Sequence, residues 1–250
     1  MQKFTRYLLY FNKGWRFSMK ILGHRGAAGT APENTLLSFM KGLEYGVDGF
    51  EFDVQLSRDG EVVICHDERV DRTSDGVGWV KDFTLKELKA LNFGVRFGVR
   101  AEIPTFQELL ELLKGNPLLL NVEIKTGWFD YPGIVDKVVQ LLDVYRVLPQ
   151  SIISSFEHKT VVEVIQHYPG VQTGLLYASG IINPWIYAQS LGANHLHPHF
   201  AFVTPELVRQ SHAHGIGINT WTVDEPWAMD RVAQAGVDVA ISNFPERFIR

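Results

Sequence analysis

The chain predicts an α/β fold, a (β/α)8 TIM barrel with a compact excursion after its second strand. Three observations carry that prediction. Short apolar runs alternate with helical patterns over ~230 residues, as parallel strands joined by crossover helices require. The helical stretches are bracketed by Ser, Thr or Asn caps and by glycine stops. Charged side chains gather at the strand C-terminal ends, where barrels of this kind carry their chemistry. A doubly wound open sheet is the alternative.

Taken in order, Lys20–His24 reads as the first strand, and Asn34–Glu44 as a helix capped by Asn34 and stopped by Gly46. Val47–Asp53 is the second strand, and Asp59-Gly60 turns it back as a hairpin returning along Glu61–His66. Asp67–Ala101 is the excursion, holding one helix at Thr84–Leu91 with Thr84 and Glu87 as a capping box. A second box, Thr105 with Glu108, opens a helix that ends at Gly115. Strands follow at Leu118–Lys125, Ser151–Ser155, Val171–Tyr177, Asn194–His197, Ile216–Trp221 and Val237–Ser242. Helices separate them at Gly133–Tyr145, His158–His167, Pro184–Leu191, Thr204–His214 and Glu225–Ala235. With the return strand of the hairpin set aside, the strands number eight, and each of the first seven is followed by a helix.

With 46% hydrophobic residues in 250, the chain can bury a full core, and no linker divides residues 20–250. A net charge of −4 argues against a nucleic-acid surface. The single cysteine, Cys65, excludes an internal disulfide framework and suits a reducing, cytoplasmic compartment. No apolar run approaches the ~20 residues of a membrane span. Residues 1–19 form an extension outside the barrel pattern, basic and aromatic, with no acid before Glu33. Its apolar block, Tyr7–Phe11, is too short for a signal peptide. The extension reads as a segment packed on the domain, a weak membrane-surface contact through residues 1–18, or a stretch upstream of a natural start at Met19.

The chemistry begins at Phe50-Glu51-Phe52-Asp53-Val54. Alternation along a strand puts Glu51 and Asp53 on one face and the apolar residues on the other. Two buried, unpaired carboxylates would cost several kcal/mol on the order of known burial penalties, so the face asks for a cation. All-oxygen ligands select a hard one: Ca²⁺ or Mg²⁺, with Mn²⁺ a third candidate. Glu123 and Lys125 share parity with Asn121 and point inward from the next barrel strand. Glu51, Asp53 and Glu123 exceed the charge of a divalent cation, while Arg25 and Lys125 add two positive charges, which suits a phosphate ligand.

If the hairpin turns on Asp59-Gly60, paired residue numbers sum to 119 and His66 faces Asp53, with Cys65 in the core. His24 and His66 then flank the acids, and an imidazole pair can take one proton and give another near neutral pH. Trp221 closes the rim as a substrate-facing aromatic. His195 and His197 share a face without an acid beside them, so a zinc site is not expected; His197 is placed near the pocket.

An ordered run of motifs joins these residues. It comprises His24-Arg25-Gly26, Pro32-Glu33-Asn34-Thr35, Glu51-Phe52-Asp53-Val54, Asp59-Gly60 and His66-Asp67. Further along come Asp71-Arg72-Thr73, Ile103-Pro104-Thr105, Asn121-Val122-Glu123-Ile124-Lys125, Ser154-Ser155-Phe156 and Asn219-Thr220-Trp221-Thr222-Val223. The chain from Lys20 to Glu246 resembles the glycerophosphodiester phosphodiesterases. The resemblance implies a barrel with an insertion at about residues 54–101 and metal-dependent hydrolysis of glycerophosphodiesters to glycerol 3-phosphate and an alcohol. By motif, His24 and His66 become the acid–base pair, Glu51, Asp53 and Glu123 the metal ligands, and Arg25 and Lys125 the phosphate holders. At the last strand Asn243 stands where many relatives carry Asp. Two other functions stay open: phospholipase D-like hydrolysis of lysophospholipids, and a non-catalytic phosphate-ester sensor.

Overall fold

The computed structural model describes residues 19–249, so expectations for residues 1–18 lie outside the described residues. Eight parallel strands close into a ring: β1 (Lys20–His24), β2 (Gly49–Leu56), β4 (Leu119–Ile124), β5 (Ser151–Ser155), β6 (Gln172–Tyr177), β7 (His195–Pro198), β8 (Gly217–Thr220) and β9 (Val239–Ser242). The short β3 (Val62–Ile64) lies outside the ring, antiparallel to β2. The β1–β2 and β1–β9 pairings complete the closure, so the barrel replaces the open-sheet alternative. Around it run α1 (Leu36–Tyr45), α3 (Phe106–Leu113), α4 (Ile134–Val144), α5 (His158–His167), α6 (Pro184–Leu191), α7 (Pro205–Ala213) and α8 (Pro226–Ala235); α2 (Leu85–Ala90) belongs to the insertion. Only a 3₁₀ turn at residues 245–247 follows β9 among the described residues. No described helix is long and apolar enough to cross a membrane.

The core lies between the sheet and the helices. Phe50 and Phe52, on the outer face of β2, meet Phe39 of α1 edge to face at 5.3 and 5.9 Å. Such aromatic pairs contribute about 0.5–1.5 kcal/mol each beyond burial. Gly42 makes the approach of α1 to β2 feasible, since a Cβ there would stand 2.3 Å from the Phe50 ring. The insertion builds its own small cluster from Val63, Cys65, Val70, Val80, Leu88, Phe93 and Ile103. Cys65 is therefore a core residue, its thiol pushed up by burial.

Two local expectations are corrected. The hairpin pairs Val54 with Ile64 and Gln55 with Val63, so paired numbers sum to 118 rather than 119. The cause is a three-residue loop, Arg58–Gly60, closed by Ser57 N–H to Glu61 O and by Gly60 at φ 82°. Cys65, not His66, faces Asp53 across the ladder, donating its N–H to the Asp53 carbonyl, and His66 lies one step past the pairing. The first helix is capped by Thr35, whose hydroxyl accepts from Ser38 N–H; Asn34 sits at φ 56° with its side chain committed elsewhere.

Candidate active site

Strand register assembles the site. His24 pairs with Glu51 across β1–β2, Glu51 with Asn121 across β2–β4, and Asp53 with Glu123 one pleat higher. All of these point into the barrel because the intervening Phe50, Phe52, Val54 and Val122 face the helices. One carboxylate oxygen each from Glu51, Asp53 and Glu123 lies within 4.8 Å of the others, and all three side chains are buried. It is the one such cluster among the described residues.

The cluster is held by cations from two loops. Lys125 Nζ donates to Glu123 Oε1 at 2.8 Å and stands 3.8 Å from Asp53 Oδ1. Arg25 Nε lies 3.4 Å from Asp53 Oδ2. Arg25 sits at φ 51° and is followed by Gly26 at φ 91°, a left-handed turn that only glycine fits, because a Cβ would strike Ser38. Burial and the adjacent Asp53 and Glu123 charges push the Glu51 carboxyl well above its ordinary range. Burial pushes Asp53 up as well, but His66, Arg25, Lys125 and a hydrogen bond from Asn34 bring it net below the usual carboxylate range. Burial raises Glu123, with Lys125 opposing.

These features test the fit of a cation. Asp53 Oδ1 is buried without a hydrogen-bond partner, and burial beside two further carboxylates raises Glu51, so a positive charge among them would be favoured. Three converging carboxylate oxygens, one of them orphaned, suit a hard divalent ion.

The imidazoles are oriented from behind. His24 Nδ1 lies 2.6 Å from Asn243 Oδ1, and the Asn243 amide is fixed because its Nδ2 donates to Asp224 Oδ2 at 2.7 Å. The His24 Nδ1 therefore carries the hydrogen, and Nε2 turns its lone pair toward Glu51, 3.6 Å away. Burial and the Arg25 charge lower His24 to about 3, so the ring is neutral. His66 Nδ1 is 2.6 Å from Asp67 Oδ1. Asp67 is gripped by Arg72 (2.5 and 3.0 Å), Arg72 by Glu33 (2.7 Å twice), and Glu33 by Arg25 (2.8 Å). An ionic chain thus runs from Asp53 through Arg25, Glu33, Arg72 and Asp67 to His66.

A cavity of about 60 Å³ opens over the cluster, lined among others by His24, Arg25, Glu51, Glu123, Phe156 and Trp221. Asp53 and Lys125 adjoin its lining through Arg25 and Glu123, and His66, held on Asp67, is not among the lining residues. Trp221 donates its Nε1–H to the His197 carbonyl at 2.9 Å and meets Phe156 edge to face at 5.4 Å. His197 itself is buried below the cavity, accepting at Nε2 from Asn219 Nδ2, and His195 lies a pleat deeper beside Gly217. Among the described residues, neither belongs to a group of three or more metal-type ligands.

Residues the sequence reading left without a role now have one. Asn34 donates to Asp53 Oδ2 at 2.9 Å, Asn243 and Asp224 hold His24, and Glu33, Asp67 and Arg72 support Arg25 and His66. All but Asn243 stand in or beside the quoted motif runs, Asp224 directly after Val223, which was the available signal.

The model of the glycerophosphoryl diester phosphodiesterase family matches residues 24–247. A glycerophosphodiester phosphodiesterase of Caldanaerobacter subterraneus subsp. tengcongensis is 42% identical over 232 residues, covering 92% of this chain and 96% of that protein. The chain belongs to the glycerophosphoryl diester phosphodiesterase family. Membership makes it an enzyme, which sets aside the sensor alternative. Its barrel superposes with a TM-score of 0.85 on a putative family structure from Silicibacter pomeroyi, 29% identical, covering 92% of this chain and 91% of that one. An Oleispira antarctica phosphodiesterase in complex with the product sn-glycerol-3-phosphate gives 0.84 at 28% identity, with 92% and 95% covered.

Proposed function

We propose that the enzyme hydrolyses glycerophosphodiesters to glycerol 3-phosphate and a free alcohol at the acidic rim, in a reaction that depends on a divalent cation. The observation that carries the reading is the convergence of three buried carboxylates, two cations and the braced His24 at the C-terminal ends of adjacent barrel strands. Glu51, Asp53 and Glu123 would hold Ca²⁺ or Mg²⁺, with Mn²⁺ also fitting an all-oxygen set. When bound, such an ion supplies the positive charge that polarises the phosphoryl oxygen. Arg25 and Lys125, each tied to the acids, orient the phosphate and offset its charge. Trp221 forms a wall against the glycerol or alcohol side.

His24, neutral and with its Nε2 lone pair exposed to the site, takes the proton of the attacking oxygen, either water or a neighbouring substrate hydroxyl. His66, steered by Asp67, gives a proton to the departing alcohol. The deciding measurement is glycerol 3-phosphate release from glycerophosphocholine by the purified full chain, before and after exhaustive chelation. Turnover that stops with chelator and returns with Ca²⁺ or Mg²⁺ is expected; undiminished turnover would remove the cation from the reaction.

One observation favours a second substrate class. From the cavity, rings run outward as Phe156–Trp221 at 5.4 Å, Trp221–His199 at 5.3 Å and His199–Phe202 at 6.2 Å. Phe202 packs over Gly180 of the loop bearing Ile182, whose side chain is 90% exposed. An aliphatic chain on the substrate could follow this track, which is the lysophospholipid reading. Release of choline from lysophosphatidylcholine at a rate rivalling glycerophosphocholine would establish it, and no release would dismiss it.

A further inference from the structure

Beside the acid-lined cavity lies a larger one of about 300 Å³, between the β1–α1 loop and the insertion. Pro32 and Glu33 wall it on the barrel side; Thr73, Phe93, Arg96 and Phe97 come from the insertion. Glu33 lines the larger cavity alone, and its bond to Arg25 ties it to the acid-lined one. One of its oxygens takes Arg25 Nη1, and Arg25 lines the acid-lined cavity. Both of its oxygens take Arg72, which braces Asp67 and through it His66. A group seated here adjoins both the phosphate-binding arginine and the support of the histidine that protonates the departing alcohol.

The chemistry of the walls is selective. Glu33, the one carboxylate among the lining residues, is occupied by two guanidinium groups. Burial works against its ionisation, yet those arginines hold it net below its ordinary value, so it stays a bound anion. Arg96 is exposed and pairs with no acid among the described residues. It rides a 3₁₀ turn, Val95–Phe97, whose Phe97 leaves 44% of its surface open. A cationic head group would meet the Arg96 guanidinium and a Glu33 carboxylate already taken up by Arg25 and Arg72. A polyol finds the Phe93 and Phe97 rings for its C–H bonds, the Arg96 guanidinium as donor to its hydroxyls, and the Thr73 side chain.

We propose that this cavity is the subsite for the alcohol of the diester, selecting a polyol such as inositol over a quaternary ammonium alcohol such as choline. The proposal rests on the phosphodiesterase reading above. Water adds across the phosphorus–alcohol bond, glycerol 3-phosphate keeps the phosphoryl group, and the polyol leaves with a proton.

The test compares kcat/KM for glycerophosphoinositol and glycerophosphocholine, each divided by that for glycerophosphomethanol, whose alcohol is too small to fill the subsite. The cation-loaded wild-type chain should favour the inositol ester by about ten-fold, the scale on which pocket contacts discriminate. Arg96→Glu should collapse or invert that ratio, and Phe97→Ala should weaken the inositol ester more than the choline ester. A wild-type preference for choline, or ratios unmoved in both folded variants, would overturn the subsite. Hydrolysis of none of the three esters would instead overturn the phosphodiesterase reading on which it rests.

Discussion

Arg72 offers the sharpest test of how the site is held together. It contacts no atom of the acidic cluster, yet it forks onto Asp67 at 2.5 and 3.0 Å and onto Glu33 at 2.7 Å twice. Arg72→Gln keeps much of the volume and removes both forks. The arginine side chain is 36% exposed and its partners 28% and 20%, so solvent screens the pairs and their full charge-assisted strength does not apply. Two bidentate contacts at about 1 kcal/mol each give a loss of about 2 kcal/mol. In a chain of this size that is a fall in Tm of about 4–8 °C.

The effect on turnover should be larger in kind. Without Arg72, Asp67 can swing, and His66 loses the partner that aims its ring. Misplacing a reacting group by about 1 Å costs roughly 10²-fold, so kcat should fall by about 10–100-fold while KM changes little. Arg72→Lys should not rescue it, because an ammonium cannot fork onto two carboxylates at once. The measurements are thermal unfolding and steady-state kinetics on glycerophosphocholine for both variants. If Arg72→Gln lowered Tm as expected but kept the wild-type kcat, the ionic chain would be a structural tie without influence on His66.

Three further outcomes follow from the same geometry. Glu51→Gln removes a carboxyl that burial and its neighbours already press toward the neutral form, so Tm without added cation should hold or rise while the rise on adding Ca²⁺ or Mg²⁺ disappears; a surviving cation-linked rise would exclude Glu51 as a ligand. His66→Asn should cost about 10²–10⁴-fold with glycerophosphocholine but far less with a p-nitrophenyl ester, whose leaving group departs without a proton, whereas His24→Asn should cost similar factors with both; equal losses for His66→Asn would sink its role as the acid. Burial holds His197 well below its unfolded value of 6.5, so the stability tied to its neutral form is complete above that pH and is lost as pH falls below it, by up to about 1.4 kcal/mol per pH unit. His197→Gln should flatten unfolding free energy between pH 6.5 and 5 relative to wild type, a comparison in which the opposite contribution of Glu51 cancels; parallel curves would show that His197 does not set the slope.

What the sequence made legible is what local periodicity dictates. Parity along β2 and β4 was enough to bring Glu51, Asp53 and Glu123 together, because parallel register then leaves them no other side. The hairpin shows the limit of the method. Asp59-Gly60 announced a turn, but whether two or three residues close it depends on Ser57, whose N–H pairs with the Glu61 carbonyl and whose hydroxyl also binds Asp59. One residue of loop length shifted the ladder, and His66, one step beyond the pairing, is placed by its bond to Asp67 rather than by strand parity. Asn34 illustrates a different blindness. Its short amide suits a helix cap or a distant carboxylate equally well, and only the fold, by bringing Asp53 within 2.9 Å, decides between them.

The ionic chain lay further out of reach. Glu33 and Arg72 are separated by 39 positions, and neither carries a periodic or spacing signal; the β1–α1 loop and the insertion must both be folded before the pair exists. That dependence gives the insertion a place in the chemistry. Its hairpin carries His66, its next turn carries the Asp67 that His66 bonds and the Arg72 that holds Asp67, and Arg72 is tied through Glu33 to Arg25, the residue proposed to hold the phosphate. On the proposed roles, a loosened insertion should therefore disturb His66 and Arg25 together, while leaving the carboxylates, fixed by barrel strands, where they are.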